Sequence, residues 1–122
     1  MVVQKELFGE GKRVEFKAEI PKKRERFLKD IIAFSNTSGG KVIVGVDDET
    51  GEVIGLGDRN PFKLADAITN MVADSCTPGI NMEITPKTID GKTILETEVF
   101  PGRLRPYLFG LGGKGKFDIY PR

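Results

Sequence analysis

The sequence predicts an α+β fold, in which a mixed, mostly antiparallel β-sheet carries two main helices on one face. The first observation is a short β-branched run over residues 41–46, which is typical of a strand covered on both sides. The second is a pair of apolar stripes with helical spacing, at about 22–38 and 60–75. The third is two hairpin signals, at 48–52 and 90–91, which predict antiparallel strand pairs.

The composition is that of an ordinary globular protein. A chain of 122 residues with 39% apolar and 30% charged residues predicts a single domain over residues 1–122. No apolar run approaches the ~18 residues of a membrane span, and the N-terminus lacks the apolar core of a signal peptide, so we expect a cytoplasmic location. The single cysteine, Cys76, cannot form an internal disulfide, and the absence of histidine excludes a His-based triad. Any acid–base chemistry would fall to Asp, Glu, Lys or Tyr.

Charge is distributed unevenly along the chain. Residues 11–29 carry eight basic and three acidic residues, whereas residues 30–100 carry five basic and twelve acidic ones. Residues 101–122 are again basic, with five Lys or Arg against one Asp. Two basic segments around an acidic middle are typical of nucleic-acid binders. The alternative is a solvated helix face followed by a loose basic tail.

The first predicted strand lies at residues 14–18, where apolar and charged side chains alternate. Val14 and Phe16 are expected to face the core, with Glu15 and Lys17 on the other side. Pro21 then suits the beginning of a helix.

The first predicted helix covers residues 22–38 and has an apolar stripe that includes Phe27 and Ile31. Its first turn is basic, which is unfavourable for the helix dipole and therefore hints at an anion-binding role. The candidate phosphate-binding residues in this segment are Lys22, Lys23, Arg24 and Arg26. Asn36 to Gly40 supply residues that end a helix.

The middle of the chain continues with a strand, a turn and a second helix. Gly45 interrupts the β-branched run and predicts a bulge or a close backbone approach. Gly51 can adopt a positive φ in the turn that follows. Asn60 is expected to cap the second helix, with Pro61 at its first position. Strands at 82–85 and 93–100 are expected to pair through the Asp-Gly turn at 90–91.

From residue 101 the chain becomes rich in glycine, proline and basic residues. The glycines at 110–115 do not have the spacing of a P-loop, and a hairpin between residues 107–109 and 117–120 fits better. Basic and aromatic residues interleaved on a loop are also what single-stranded nucleic-acid binding uses. The candidate phosphate-binding residues here are Arg103, Arg105, Lys114 and Lys116. The alternative is a terminal hairpin without that role.

Several ordered motifs together resemble a known family. They are Gly9-Glu10, Val14-Glu15-Phe16-Lys17, the stretch from Ile31 to Gly40, Val42 to Asp48, and Val53-Ile54-Gly55. The combination resembles the Schlafen-type AlbA-like domain of predicted bacterial and archaeal transcriptional regulators and of the Schlafen proteins. The resemblance covers nearly the whole chain and implies an AlbA-like α+β fold. The last residues, 119–122, depart from the family pattern, so the C-terminal hairpin from about residue 101 is expected to be incomplete or mobile.

The resemblance implies two functions of different class. The first is a nucleic-acid-binding module of a transcriptional regulator, binding DNA in preference to RNA, with no cofactor and no membrane association. The alternative is a metal-dependent endoribonuclease of the Schlafen type, with Mg²⁺ or Mn²⁺ held by Glu10, Glu15 and Asp47. The structural reading of these carboxylates is that Glu15 pairs with a neighbour and that Asp47 shapes a turn. A homodimer is left open, because an AlbA-like sheet can pair across subunits.

Overall fold

A four-stranded β-sheet lies at the centre of the fold, in the order β1-β2-β5-β4. Its strands are β1 (Val14–Lys17), β2 (Gly40–Val44), β4 (Met82–Ile89) and β5 (Lys92–Val99). β1 runs parallel to β2, and the other neighbours are antiparallel. This confirms the predicted α+β fold with a mixed, mostly antiparallel sheet. The computed structural model describes residues 1–20, 24–77, 80–102, 108–110 and 117–119.

Two helices, α1 (Arg24–Ser35) and α2 (Pro61–Ser75), share a core with one face of this sheet. The predicted apolar stripe of α1 is completely buried, and it packs with sheet residues such as Val42 and Leu95. α1 ends three residues before the predicted boundary. The chain turns there because the N–H groups of Thr37 and Gly39 both donate to the carbonyl of Phe34.

The beginning of α2 confirms the predicted cap. The side-chain oxygen of Asn60 accepts hydrogen bonds from the N–H groups of Phe62, at 2.9 Å, and Lys63, at 3.3 Å. These bonds satisfy donors that have no partner inside the helix. Within the described residues, neither helix is long and apolar enough to cross a membrane.

The opposite face of the sheet is partly covered by the N-terminal segment. A 3₁₀ helix at Lys5–Phe8 brings the Phe8 ring edge-on to Phe16, with ring centroids 5.8 Å apart. Val3 and Phe8 join Ile43 and Ile94 in a second buried apolar cluster. Both faces of the sheet therefore contribute to the core.

The predicted bulge at Gly45 is confirmed, and β2 ends there, two residues earlier than expected. The N–H groups of Gly45 and Val46 both donate to the carbonyl of Lys17, so two residues oppose one. Gly45 has φ +108°, and a Cβ at this position would lie 3.1 Å from a methyl group of Ile94. The turn at 48–52 then closes through an antiparallel bridge between Val46 and Val53.

The β4–β5 hairpin confirms the predicted Asp-Gly turn, with positive φ at both Asp90 and Gly91. β4 is longer than predicted because it continues through Pro86. Proline is tolerated there because β4 is the last strand of the sheet, where one side of its backbone needs no ladder partner.

A second, small sheet contains β3 (Cys76–Thr77), β6 (Leu108–Gly110) and β7 (Phe117–Ile119), in that order. β6 and β7 are antiparallel, which confirms the predicted C-terminal hairpin. β3 follows directly on α2, and β6 also contacts α1. The small sheet is therefore next to α2 through β3 and next to α1 through β6.

Candidate functional site

The three predicted metal ligands lie on three different local structures. Glu10 is exposed in a turn after the 3₁₀ helix, and Glu15 is exposed on β1. Asp47 follows the bulge at the end of β2. Among the described residues, which include all three, no group of three or more carboxylate or cysteine side chains is arranged to hold a metal ion. The structure thus does not bring Glu10, Glu15 and Asp47 together as a metal site.

The carboxylate of Asp47 is instead engaged in the turn that follows it. Its Oδ1 accepts hydrogen bonds from the backbone N–H groups of Thr50 and Glu49, each at 2.9 Å. These two bonds lower the pKa of Asp47 below its ordinary value, and the bond from Thr50 has the larger effect. The geometry supports the turn-forming reading of this residue.

β1 places Glu15 and Lys17 on the face of the sheet that carries the helices. Glu15 is in register with Val42, and Lys17 with Val44, both of which lie in the helix-side core. The Nζ of Lys17 lies 2.8 Å from a carboxylate oxygen of Asp30 on α1. As predicted, these two residues lie on the face of β1 opposite Val14 and Phe16. Lys17 is half-buried there because the core extends over both faces of the sheet.

The predicted phosphate-binding residues are only partly described by the structure. Arg24 is the first residue of α1, and Arg26 is exposed in its first turn. Within the described part of the chain, the Arg26 side chain forms no ion pair or hydrogen bond. The remaining predicted residues, Lys22, Lys23, Arg103, Arg105, Lys114 and Lys116, lie outside the described residues.

A cluster of charged residues that the sequence did not predict lies on the sheet face opposite the helices. The carboxylate of Glu96 on β5 is almost completely buried between two lysines. One of its oxygens lies 2.5 Å from the Nζ of Lys41, and the other pairs with Lys87. Beside them, the Nζ of Lys12 lies 3.0 Å from a carboxylate oxygen of Glu98. We call these five residues the charged cluster.

Burial and pairing act on the pKa of Glu96 in opposite directions. Burial raises it, but the hydrogen bonds and positive charges of Lys41 and Lys87 outweigh burial, so the pKa of Glu96 lies below its ordinary value. A depression of about 160 Å³ lies over Lys41, Lys87 and Glu96. Because the lysines here are already paired with carboxylates, we assign the charged cluster to stability and not to phosphate binding. The sequence could have suggested it only through the spacing of Glu96 and Glu98, which places both acidic residues on one face of β5.

The described residues form a small α+β domain in which Arg26 is exposed in the first turn of α1. No group of carboxylates among these residues is arranged to hold a metal ion. The chain belongs to the Schlafen, AlbA_2 family, whose family model matches residues 10–119. This confirms the resemblance that the ordered motifs indicated.

Solved structures share the fold at low sequence identity. One is the solution structure of the N-terminal domain of the "Putative ATP-dependent DNA Helicase RecG-related Protein" from Nitrosomonas europaea, with 22% identity and a TM-score of 0.67. The match covers 93% of this chain and 80% of that one. A second is the DIP2311 protein from Corynebacterium diphtheriae, with 17% identity and a TM-score of 0.59. There the match covers 91% of this chain but only 22% of the longer relative.

Proposed function

We propose that this chain is the nucleic-acid-binding module of a transcriptional regulator. It contacts the phosphate backbone through the basic start of α1 and through the basic C-terminal hairpin. The residues assigned to this contact are Lys22, Lys23, Arg24, Arg26, Arg103, Arg105, Lys114 and Lys116. DNA is the expected partner in preference to RNA.

The observation that carries the proposal is that, among the described residues, the charge of Arg26 has no partner, whereas the lysines of the sheet do. Lys17, Lys41 and Lys87 are held by carboxylates, whereas Arg26 is exposed and, among the described residues, has no ion partner. A cation at the start of a helix opposes the helix dipole, so the charge of Arg26 does not stabilise α1 there. A phosphate group would supply the negative charge that this position lacks.

The connection between the two basic segments also supports the proposal. β6 contacts α1, and residues 111–116, which include Lys114 and Lys116, join β6 to β7. The basic hairpin is therefore attached to the same helix whose first turn is basic. A nucleic-acid backbone could contact both segments at once, which would add their phosphate contacts.

Family membership and one structural relative support the choice of partner. The relative from Nitrosomonas europaea is named "Putative ATP-dependent DNA Helicase RecG-related Protein", and its N-terminal domain shares this fold. That name supports a DNA partner for the present chain.

The direct test is a salt titration. Labelled duplex and single-stranded DNA and an RNA of equal length are titrated with the protein at several salt concentrations. Each neutralised phosphate should contribute about −0.9 to the slope of log K against log salt for duplex DNA, and about −0.7 for single strands. Absence of binding at low salt, or a flat salt dependence, contradicts the proposal.

A matched pair of variants localises the contact. Arg26→Gln should reduce the magnitude of the duplex slope by about 0.9, the contribution of one phosphate. Lys63→Gln is the control, because Lys63 is exposed on α2 and, in the described chain, its side chain is likewise unpaired. Equal effects of the two variants would mean that binding is not centred on α1.

The ribonuclease alternative remains a prediction without supporting geometry in the described residues. It is tested by incubating structured RNA with the protein and Mn²⁺, and then with Glu15→Gln and Asp47→Asn. Cleavage by the parent protein that is lost in both variants would make the chain an enzyme. We expect intact RNA in all three reactions.

A further inference from the structure

A groove of about 350 Å³ lies between α2 and β4, on the helix side of the sheet. Its lining is mostly apolar and includes Val72 of α2 and Ile80, Met82 and Ile84 at and before β4. Asp66 is the charged residue in the lining, and within the described chain it forms no ion pair. The groove is separate from the basic start of α1.

The outer wall of the groove is a free strand edge. The carbonyl of Asn81 accepts a hydrogen bond from Phe100, so the backbone of residue 81 points toward β5. Successive residues of a strand point their backbone groups in alternate directions, and those of Met82, Ile84 and Pro86 therefore point outward. Pro86, which has no N–H, fits such an outward position.

The outward N–H groups of Met82 and Ile84 have no hydrogen-bond partner among the described residues. The side chains of the same two residues line the groove. One strand laid along this edge would therefore form backbone bonds and place alternate side chains in the groove.

We propose that the groove between α2 and β4 binds an extended peptide segment of a partner protein, which adds to β4 as a fifth strand. The segment carries apolar side chains at alternate positions and a Lys or Arg that pairs with Asp66. An extended backbone is required because a helix has no free N–H and C=O groups to offer the edge. The preference for a basic segment follows from the charge of the groove.

The edge itself favours a short peptide over a second copy of this chain. Antiparallel pairing of β4 with another β4 would bring Pro86 into the ladder once from each copy, and each proline would leave a bond unmade. A separate segment can pair between Ile80 and Pro86 alone. That length corresponds to about six residues at about 3.4 Å each.

The experiment uses two synthetic hexapeptides, acetyl-Thr-Val-Thr-Lys-Thr-Val-amide and acetyl-Thr-Val-Thr-Glu-Thr-Val-amide, added to the isotope-labelled protein. Because side chains alternate along a strand, the valines and the single Lys or Glu of each peptide lie together on the groove side. The lysine peptide should bind and should slow the hydrogen exchange of the Met82 and Ile84 amides. The glutamate peptide should bind at least about tenfold more weakly. Binding of the two peptides should be unchanged in the Arg26→Gln variant, which is expected to weaken DNA binding. Failure of this proposal is therefore distinguishable from failure of the proposed function.

Two matched pairs of variants test the groove. Ala73→Leu fills it and should weaken the lysine peptide about tenfold, whereas Ala67→Leu, exposed on α2 outside the lining, should leave binding unchanged. Asp66→Asn should weaken binding about threefold at low salt, and Asp74→Asn should not.

Four outcomes overturn the proposal. The first is that neither peptide binds at millimolar concentration. The second is that the peptide slows the exchange of other amides and not that of the Met82 and Ile84 amides. The third is that both peptides bind equally. The fourth is that the β4 amides are already protected in a dimer of the protein alone, which would assign the edge to a second copy.

Discussion

On one face of the four-stranded sheet, α1 and α2 cover an apolar core around Val42 and Leu95, and the Lys17–Asp30 ion pair lies at the β1 edge of this face. On the other face, the N-terminal segment covers only the half around Phe16 and Ile43, and the other half carries the charged cluster. The same strands therefore contribute to a dry core on one side and to buried ion pairs on the other.

The two faces differ in what holds them in place. Apolar burial is non-directional and tolerates small shifts of the packed side chains. The pairing of Lys41 and Glu96 depends on strand register and has to offset the desolvation of both charges. We therefore expect large losses of stability from cavities on the helix face and, on the charged half, from removal of one partner of a pair.

The largest effect is expected on the helix face. Phe27→Ala removes a completely buried ring from α1 and should lower the free energy of unfolding by about 3–5 kcal/mol, measured by urea denaturation. Phe62→Ala is the matched control, because Phe62 is 69% exposed and its loss should cost less than about 0.5 kcal/mol. A loss below about 1 kcal/mol for Phe27→Ala would mean that the helix face is not the main core.

A smaller but still large effect is expected in the charged cluster. Glu96→Gln leaves Lys41 nearly buried without its counter-charge and should lower the free energy of unfolding by about 3 kcal/mol. Lys12→Met breaks the more exposed pair with Glu98 and should cost only about 0.2–1 kcal/mol. If the two variants are equally stable, the buried pair contributes no more than a surface pair.

The sequence predicts the helix face well because periodicity alone determines it. The stripe that includes Phe27 and Ile31 needs no knowledge of the rest of the fold. The charged cluster could not be predicted in the same way, because Lys41 and Glu96 are far apart in sequence and meet only through the register of β2 and β5. The same limit applies to the metal hypothesis, since convergence of Glu10 with other carboxylates depends on tertiary geometry.

The sequence allows two interpretations of Asp47, as a metal ligand or as a residue that shapes the turn after β2. The hydrogen bonds that Asp47 accepts from the N–H groups of Glu49 and Thr50 support the second. β2 ends two residues before the predicted boundary because Gly45 forms a bulge opposite Lys17. The sequence indicates a bulge at this glycine, but it does not show which residue of the neighbouring strand lies opposite.

The charged half of the sheet should also respond to acid. The folded-state pKa of Glu96 lies below the ordinary value of 4.5, so its contribution to stability is complete above about pH 4.5 and is lost as the pH falls through the lower folded value. Unfolding free energies measured from pH 7 to pH 2 should therefore decline less steeply below pH 4.5 in Glu96→Gln than in the parent. An unchanged pH profile in the variant would assign the acid sensitivity to other carboxylates.

The smallest effect is expected at Asp47, in the turn that joins Val46 to Val53. These two valines belong to the apolar half of the sheet face opposite the helices. Asp47→Asn keeps an oxygen that can accept from the backbone N–H groups of Glu49 and Thr50, whereas Asp47→Ala removes both hydrogen bonds. The urea midpoint should therefore fall further in Asp47→Ala than in Asp47→Asn, and exchange of the Thr50 amide should accelerate only in the alanine variant.

Because the pKa of Asp47 is lowered in the folded state, the asparagine variant should also lose less stability than the parent protein as the pH falls below about 3.8. Equal midpoints for the two variants would show that the carboxylate does not hold the turn, and its role would then have to be sought outside the described contacts.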